Sequence, residues 1–390
     1  MSKESAYLNY YNDKSIIPVS QPVNDRHFLR RSYLYSTLGI NLSSLSNSKV
    51  IEFGPGGGFN AEAICRWNPA RYTLVDASTE SLQILRNKRD SGKFGDSNGE
   101  SIVNIVDSTI LTFTSDQLFD LVIVESLVPG QTHPEEILLH TSSFTELGGV
   151  FITTTTSATS LLSETCRKVF LPHIKKISGG FDEQVNFAAD IFDSHLKSLG
   201  NDLRPARDWV LDSILHEMYR ENKCIWTMVD VIETLGQDFQ FQGSSPRFLM
   251  DDRFYKHIGL NNFGNNQLLL EQFAKINLSF LDCSVSMSDC NGLDASLCRD
   301  IEILCADAWD IHLDICNKSN YQELDRFLQC MNNIRNLLPP GFESTGYAID
   351  DFRENFPRFL DSSDNSVFTS FMSWWGRGQQ YISMTRNPLQ

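Results

Sequence analysis

An α/β fold built on a parallel sheet is predicted for this chain of 390 residues. Three observations predict it. Short apolar runs alternate with amphipathic, helix-like stretches, the pattern of strands joined by crossover helices. The first runs each end in an acidic residue. Behind the first run stands Gly54-Pro55-Gly56-Gly57-Gly58, followed by a helix start at Asn60 to Trp67.

The first strand is Val50-Ile51-Glu52-Phe53, and the glycines behind it form a tight turn into a helix. Glycine at such a turn reaches backbone angles closed to other residues and lets a ligand approach the main chain. The helix start offers N–H groups with no partner in the helix. A dinucleotide fingerprint requires G-x-G-x-x-G, and Phe59 occupies the third position after Gly56. A phosphate-cradling loop requires a Gly-Lys-Ser/Thr ending, and no lysine is present there.

Tyr72 to Asp76 is the second strand, ending in a carboxylate suited to ribose hydroxyls. Ile102 to Val106 is the third, followed by Asp107-Ser108. Phe119 to Glu125 is the fourth, nearly all apolar, as a strand covered on both faces should be. The fifth starts at Gly148-Gly149-Val150. Asp238 to Arg247 alternates with period two and reads as the sixth. Gly378 to Met384 reads as a seventh, expected to run antiparallel between strands five and six. The acids fall where open α/β sheets bind ligands, at the C-terminal strand ends.

Over residues 45–155, the series acid-x-Gly-x-Gly-x-Gly followed by acids at the next strand ends resembles the class I S-adenosylmethionine-dependent methyltransferases. The resemblance implies a Rossmann-like seven-stranded sheet with its last strand antiparallel, and S-adenosyl-L-methionine as cofactor. It places Gly54, Gly56 and Gly58 against the methionine end of the cofactor, with Glu52 toward the ammonium. Asp76 and Ala77 fall at the ribose, Asp107 and Ser108 at the adenine, and Glu125 beside the cofactor. Ile17-Pro18-Val19, Leu34 to Ile40, Glu52 to Gly56 and Gly243 to Arg247 together are similar to a bacterial group with helical insertions after the fifth strand, loosely associated with surface-polysaccharide or small-metabolite pathways.

The chain is accordingly divided into an N-terminal helical lid segment (1–45), a cofactor-binding core (46–158), a helical insertion (159–237), the sixth-strand region (238–256), a second helical insertion (257–372) and a C-terminal strand completing the core (373–390). Helices are expected over His27 to Leu38, Ser160 to Phe170, Glu183 to Leu199 and Asp208 to Tyr219, and along most of Asn265 to Asn336. The insertions are expected to form a cap over the active-site edge. Tyr10, Tyr11 and Gln21 are candidates for the lid.

A net charge of −16 disfavours nucleic acid and anionic membrane surfaces as partners. The nine cysteines contain no Cys-x-x-Cys and read as free thiols. The spacing of Cys283, Cys290, Cys298 and Cys305 suits one apolar helical face better than a metal site, and no metal is expected. The polar N-terminus and the lack of a long apolar run point to a cytoplasmic protein without membrane insertion.

Methyl transfer is an in-line displacement that demands alignment above all. A general base is needed where the acceptor is a hydroxyl, and Glu125 and His133 are the candidates. Arg207, Arg247 and Arg377 would suit an anionic acceptor; each could equally pair with a nearby acid. Trp374 and Trp375 read as core. The expected function is methylation, O-methylation favoured, of a small or glycan-linked acceptor. The alternatives are a non-catalytic scaffold that binds the cofactor and a methyltransferase acting on a protein.

Overall fold

The structure is a computed structural model that describes residues 5–14, 16, 23–97, 100–200, 205–216, 225–247, 254, 256, 264–290 and 292–387. Gln21, the Ile17-Pro18-Val19 stretch and Cys224 lie outside the described residues. The chain divides into two compact units: residues 1–155, 222–271 and 379–390 form the first, and 156–221 and 272–378 the second.

The first unit is organised by a seven-stranded sheet. In chain order its strands are β1 (Lys49–Phe53), β2 (Arg71–Asp76), β5 (Val103–Asp107), β6 (Phe119–Val124), β7 (Thr145–Thr155), β8 (Phe239–Ser245) and β9 (Gln380–Arg386). A two-residue hairpin, β3 (Asp96–Ser97) and β4 (Glu100–Ser101), stands apart from it. The spatial order is β5-β2-β1-β6-β7-β9-β8. Pairing is parallel from β5 through β7, while β9 runs antiparallel to both β7 and β8. The last strand is therefore inserted between the fifth and sixth of the sheet, as expected from Gly378 to Met384.

The apolar runs become strands because their side chains are covered on both faces. Val50, Ile51 and Phe53 of β1, and Leu121 to Val124 of β6, are buried. One face packs Val50, Tyr72, Leu74, Ile123 and Ile152 against Tyr35, Leu38, Ile64 and Leu85 from the helices around it. On the other face Phe53, Phe113 and Phe144 meet edge to face or tilted, with ring centroids 5.1–5.9 Å apart. The helix Asp25–Thr37 is capped by Asn24, whose side chain accepts from the His27 amide at 2.9 Å.

The second unit is helical. Its longer helices are Ala158–Lys168, Phe181–Ser198, Ala295–Lys318, Leu324–Leu337 and Glu343–Ser362. Phe170, Phe192, Phe352, Phe356, Phe359 and Phe371 are all buried in its core. Arg167 is fully buried among them. Its guanidinium donates to the carbonyls of Ser163, Phe371 and Trp374 at 2.9–3.1 Å and lies 3.7 Å from the centroid of the Trp375 ring. Trp374 and Trp375 are core residues, as expected. The cysteine row does not share one helical face: Cys298 and Cys305 are buried on Ala295–Lys318, whereas Cys283 and Cys290 precede that helix and Cys283 is exposed. The stretch expected to be one long helical region is broken over residues 279–290 and 292–294 by turns and 3-10 segments. Among the described residues no helix is long and apolar enough to cross a membrane, and no group of three or more His, Cys, Asp or Glu is arranged to hold a metal.

Candidate functional site

The site is built at the C-terminal ends of β1, β2 and β5. Gly54, Gly56 and Gly58 have φ of 63°, 53° and 69°, the left-handed region that a side chain disfavours. The space is closed as well: a Cβ at Gly54 would stand 2.6 Å from Leu127 Cδ1, and one at Gly58 would stand 2.7 Å from Leu85 Cδ2. The Gly54 amide donates to the Val75 carbonyl at 2.8 Å, extending the parallel ladder one step past β1. Gly58 then caps the helix Phe59–Cys65, its carbonyl accepting from the Glu62 amide at 3.1 Å.

Asp76 ends β2 and ties the loop together. Its Oδ2 accepts from the Gly56 amide at 3.1 Å and its Oδ1 from the Ser78 amide at 2.9 Å. Burial pushes its carboxyl up to about 6, against the opposing pull of the Ser78, Gly56 and Ala77 amides. The Asp76 carbonyl accepts from the Ser108 amide at 3.0 Å, which joins the tips of β2 and β5.

A cleft opens at these tips. Gly54, Asp76, Ala77 and Ser108 line it together, and Leu8 and Gln131 add walls that the sequence did not suggest. Leu8 belongs to the helix Ser5–Asp13, which also carries the lid candidates Tyr10 and Tyr11, their rings 5.7 Å apart and edge to face. Asp107 lies outside the cleft wall, exposed and 4.0 Å from Arg86. His133 is the residue before the helix Pro134–Ser142, its carbonyl accepting from the Ile137 amide at 3.2 Å, and it does not line the cleft.

The two glutamates lie behind the cleft wall, in a buried polar cluster. Glu125 is gripped by Arg31, whose Nη1 donates to Oε2 at 3.0 Å and whose Nη2 donates to Oε1. Asn60 Nδ2 donates to the same Oε2 at 3.2 Å, and Arg31 Nη2 also reaches Tyr35 Oη at 3.2 Å. Tyr381 of β9 hydrogen-bonds to this pair as well. Glu52 accepts from the Tyr72 hydroxyl. Burial, reinforced by the charge of Glu125, pushes the Glu52 carboxyl up to about 7. Beyond Glu125 the backbone turns at Ser126, φ 60°, whose amide donates to Thr154 Oγ1 at 2.8 Å and whose hydroxyl meets the Gln379 side chain at 3.0–3.1 Å.

Arg31, Tyr35, Asn60, Tyr72 and Tyr381 were not anticipated. One signal was available for Arg31: it falls on the apolar stripe of its helix with Tyr35 and Leu38, and a charge on a buried face demands a buried partner. The three candidate acceptor arginines have separate partners. Arg207 donates to Asp182 and Asn186, each at 2.6 Å. Arg377 donates to the carbonyls of Ser279 at 3.3 Å and Val285 at 2.7 Å. Both belong to the second unit; Arg247 belongs to the first and reaches the Ser36 carbonyl at 3.4 Å.

The strand order, the single antiparallel strand β9 and the glycine turn at the sheet's C-terminal edge define the class I methyltransferase fold. Solved structures similar to this chain include the N-methyltransferase NodS from Bradyrhizobium japonicum WM9 in complex with S-adenosyl-L-homocysteine, at 18% identity over 38% of this chain and 74% of that one, with a TM-score of 0.30. They include the CcbJ methyltransferase from Streptomyces caelestis, at 16% identity over 41% of this chain and 61% of that one, TM-score 0.31. PKMT2 from Rickettsia typhi in complex with AdoHcy is matched at 15% identity over 63% of this chain and 49% of that one, TM-score 0.39. The chain thus spans about half the length of the Rickettsia protein. No protein-family model matches the chain, and no curated protein does.

Proposed function

We propose that the protein is an S-adenosyl-L-methionine-dependent methyltransferase acting on a small or glycan-linked acceptor. The observation that carries this reading is the cleft where Gly54, Asp76, Ala77 and Ser108 share one wall, at the tips of adjacent parallel strands. The site's own chemistry fits the cofactor. Three left-handed glycines leave main chain bare where the methionine end would lie. The Asp76 oxygens accept from the Gly56 and Ser78 amides, with the Ala77 amide beside them, and keep acceptor capacity for a ribose hydroxyl. Ser108, in the cleft wall, is the residue we assign to the adenine edge; Asp107 lies outside that wall.

The cofactor supplies an electrophilic methyl on a sulfonium; the chain's task is to align an acceptor with it and exclude water. Glu125 is committed to Arg31 and Asn60, which supports an anchoring role rather than proton abstraction. His133 is the remaining candidate base. Arg207 is satisfied by Asp182 and Asn186, and Arg377 by main-chain carbonyls, which favours structural roles for both. Arg247, held by one long contact among the described residues, is the arginine we assign to an anionic acceptor group. Oxygen as the accepting atom carries over from the sequence reading and is an outcome of the assay.

Calorimetric titration with S-adenosylhomocysteine should show binding by the wild type. Asp76→Ala, which removes acceptors for two hydroxyls, should weaken it at least ~100-fold at about 1.5–3 kcal/mol per charged hydrogen bond. Neither heat nor a thermal shift with the wild type would refute the assignment. Transfer of labelled methyl to a small-molecule or glycan fraction, rather than to protein, checks the acceptor class, and hydrolysis of the product separates methyl-oxygen from methyl-nitrogen linkage.

A further inference from the structure

The buried cluster behind the cleft is short of positive charge. Two carboxylates, Glu52 and Glu125, are 2% and 8% exposed, and among the described residues Arg31, 5% exposed and bonded to Glu125, is the one guanidinium in the cluster. The other groups that face Glu52 supply no cation. Tyr72 on β2 and Tyr35 on the Asp25–Thr37 helix are held neutral by burial, as is Cys65 on the glycine-loop helix. His27, beside Arg31 on the same helix, is pushed down to about 4 by burial and by the arginine, so it too is neutral. Asp76, at the cleft wall, adds a further negative charge. In a low-dielectric setting such an imbalance is costly and acts over several ångströms.

S-adenosylmethionine carries an ammonium and a sulfonium against one carboxylate, a net charge of one plus; S-adenosylhomocysteine lacks the sulfonium and is net neutral. We infer that the Glu52–Glu125–Arg31 cluster matches the cleft to the cationic S-adenosylmethionine, and that Glu52 loses a proton to the buffer when this ligand binds. The inference rests on the proposed cofactor. Glu52 need not touch the ligand: it lies two residues before Gly54, which does line the cleft, and a positive charge there stabilises its carboxylate through the protein interior. With the carboxyl at about 7 in the free protein, half of the molecules carry the proton at neutral pH. Discharge of the product would then return it, since loss of the methyl group also removes the ligand's positive charge.

The test is calorimetry of the full chain with S-adenosylmethionine and, separately, S-adenosylhomocysteine, at pH 6 and pH 7, in buffers of different ionisation enthalpy. In this window the ligands' α-amino groups stay charged. S-adenosylmethionine should release ~0.9 proton at pH 6 and ~0.5 at pH 7, and bind about fivefold more weakly at pH 6 through Glu52 alone. S-adenosylhomocysteine should release clearly less. Glu52→Gln should leave only the roughly twofold pH trend expected from Asp76. Tyr72→Phe, which removes the hydroxyl that favours the Glu52 carboxylate, should move the affinity drop to higher pH. Binding of S-adenosylmethionine that is independent of buffer and pH, or a pH trend kept in full by Glu52→Gln, would overturn the inference while leaving the cofactor assignment intact. If neither ligand binds at any pH, the cofactor assignment itself fails.

Discussion

Replacing Glu52 by glutamine should stabilise the unliganded protein, and by an amount that depends on pH. The carboxyl stands at 4.5 in its ordinary state and at about 7 in the fold. The folded state therefore holds a proton that the unfolded chain gives up. The stability this contributes is fully present below the ordinary value and is lost as the pH rises through about 7. A shift of this size is worth about 3 kcal/mol in total, most of it between pH 5 and pH 8. Glutamine keeps an acceptor for the Tyr72 hydroxyl and cannot ionise, so its pH profile lacks this loss. Urea unfolding of both proteins at pH 5, 6, 7 and 8 measures the difference directly. Wild type should fall behind the variant by about 2–3 kcal/mol across the series, with most of the change below pH 7. Parallel profiles would mean that Glu52 is ionised or solvated in the fold, and the reasoning about its surroundings would be wrong.

Arg31→Met should destabilise by about 3–5 kcal/mol, because it leaves Glu125 buried without its cation; restoring most of that loss in Arg31→Met/Glu125→Gln would identify the pair as the cause. Gly54→Ala forces a Cβ to within 2.6 Å of Leu127 at a φ of 63° and should abolish S-adenosylhomocysteine binding in calorimetry, with a stability loss of about 2–4 kcal/mol. Arg167→Met removes the guanidinium hydrogen bonds to the carbonyls of Ser163, Phe371, Met372 and Trp374 in the second unit and should lower the melting temperature markedly, whereas Arg207→Ala, on the exposed surface, should change stability by less than ~0.5 kcal/mol.

The seven sheet strands were legible because each is a short apolar run whose period and flanks leave few alternatives. Phe119 to Val124 is buried on both faces and reads as continuous apolar sequence; Phe239 to Ser245 is covered less evenly and reads as alternation. The glycine turn was legible for the same local reason, since three glycines on alternate positions have few uses other than a left-handed turn. The cluster around Glu125 was not. Arg31 and Glu125 are 94 positions apart, and Asn60 and Glu125 are 65 apart. Nothing local marks such partners, because the sheet order, not the spacing, brings them together. The roles of Glu52 and Glu125 were read from their positions at strand ends. Which way each carboxylate turns depends on Tyr72 and Arg31, one on the neighbouring strand and one on a helix that precedes the sheet. The hairpin at 96–101 escaped because two-residue strands leave no periodicity.

The strand β9 lies between two others that are far earlier in the chain, and it is made last among them. During synthesis β7 has only β6 beside it, and β8 has no strand beside it, until residues 380–386 fill the gap between them. A growing chain stalled in that interval would present two open hydrogen-bonding ridges at once, ready to recruit a neighbouring chain.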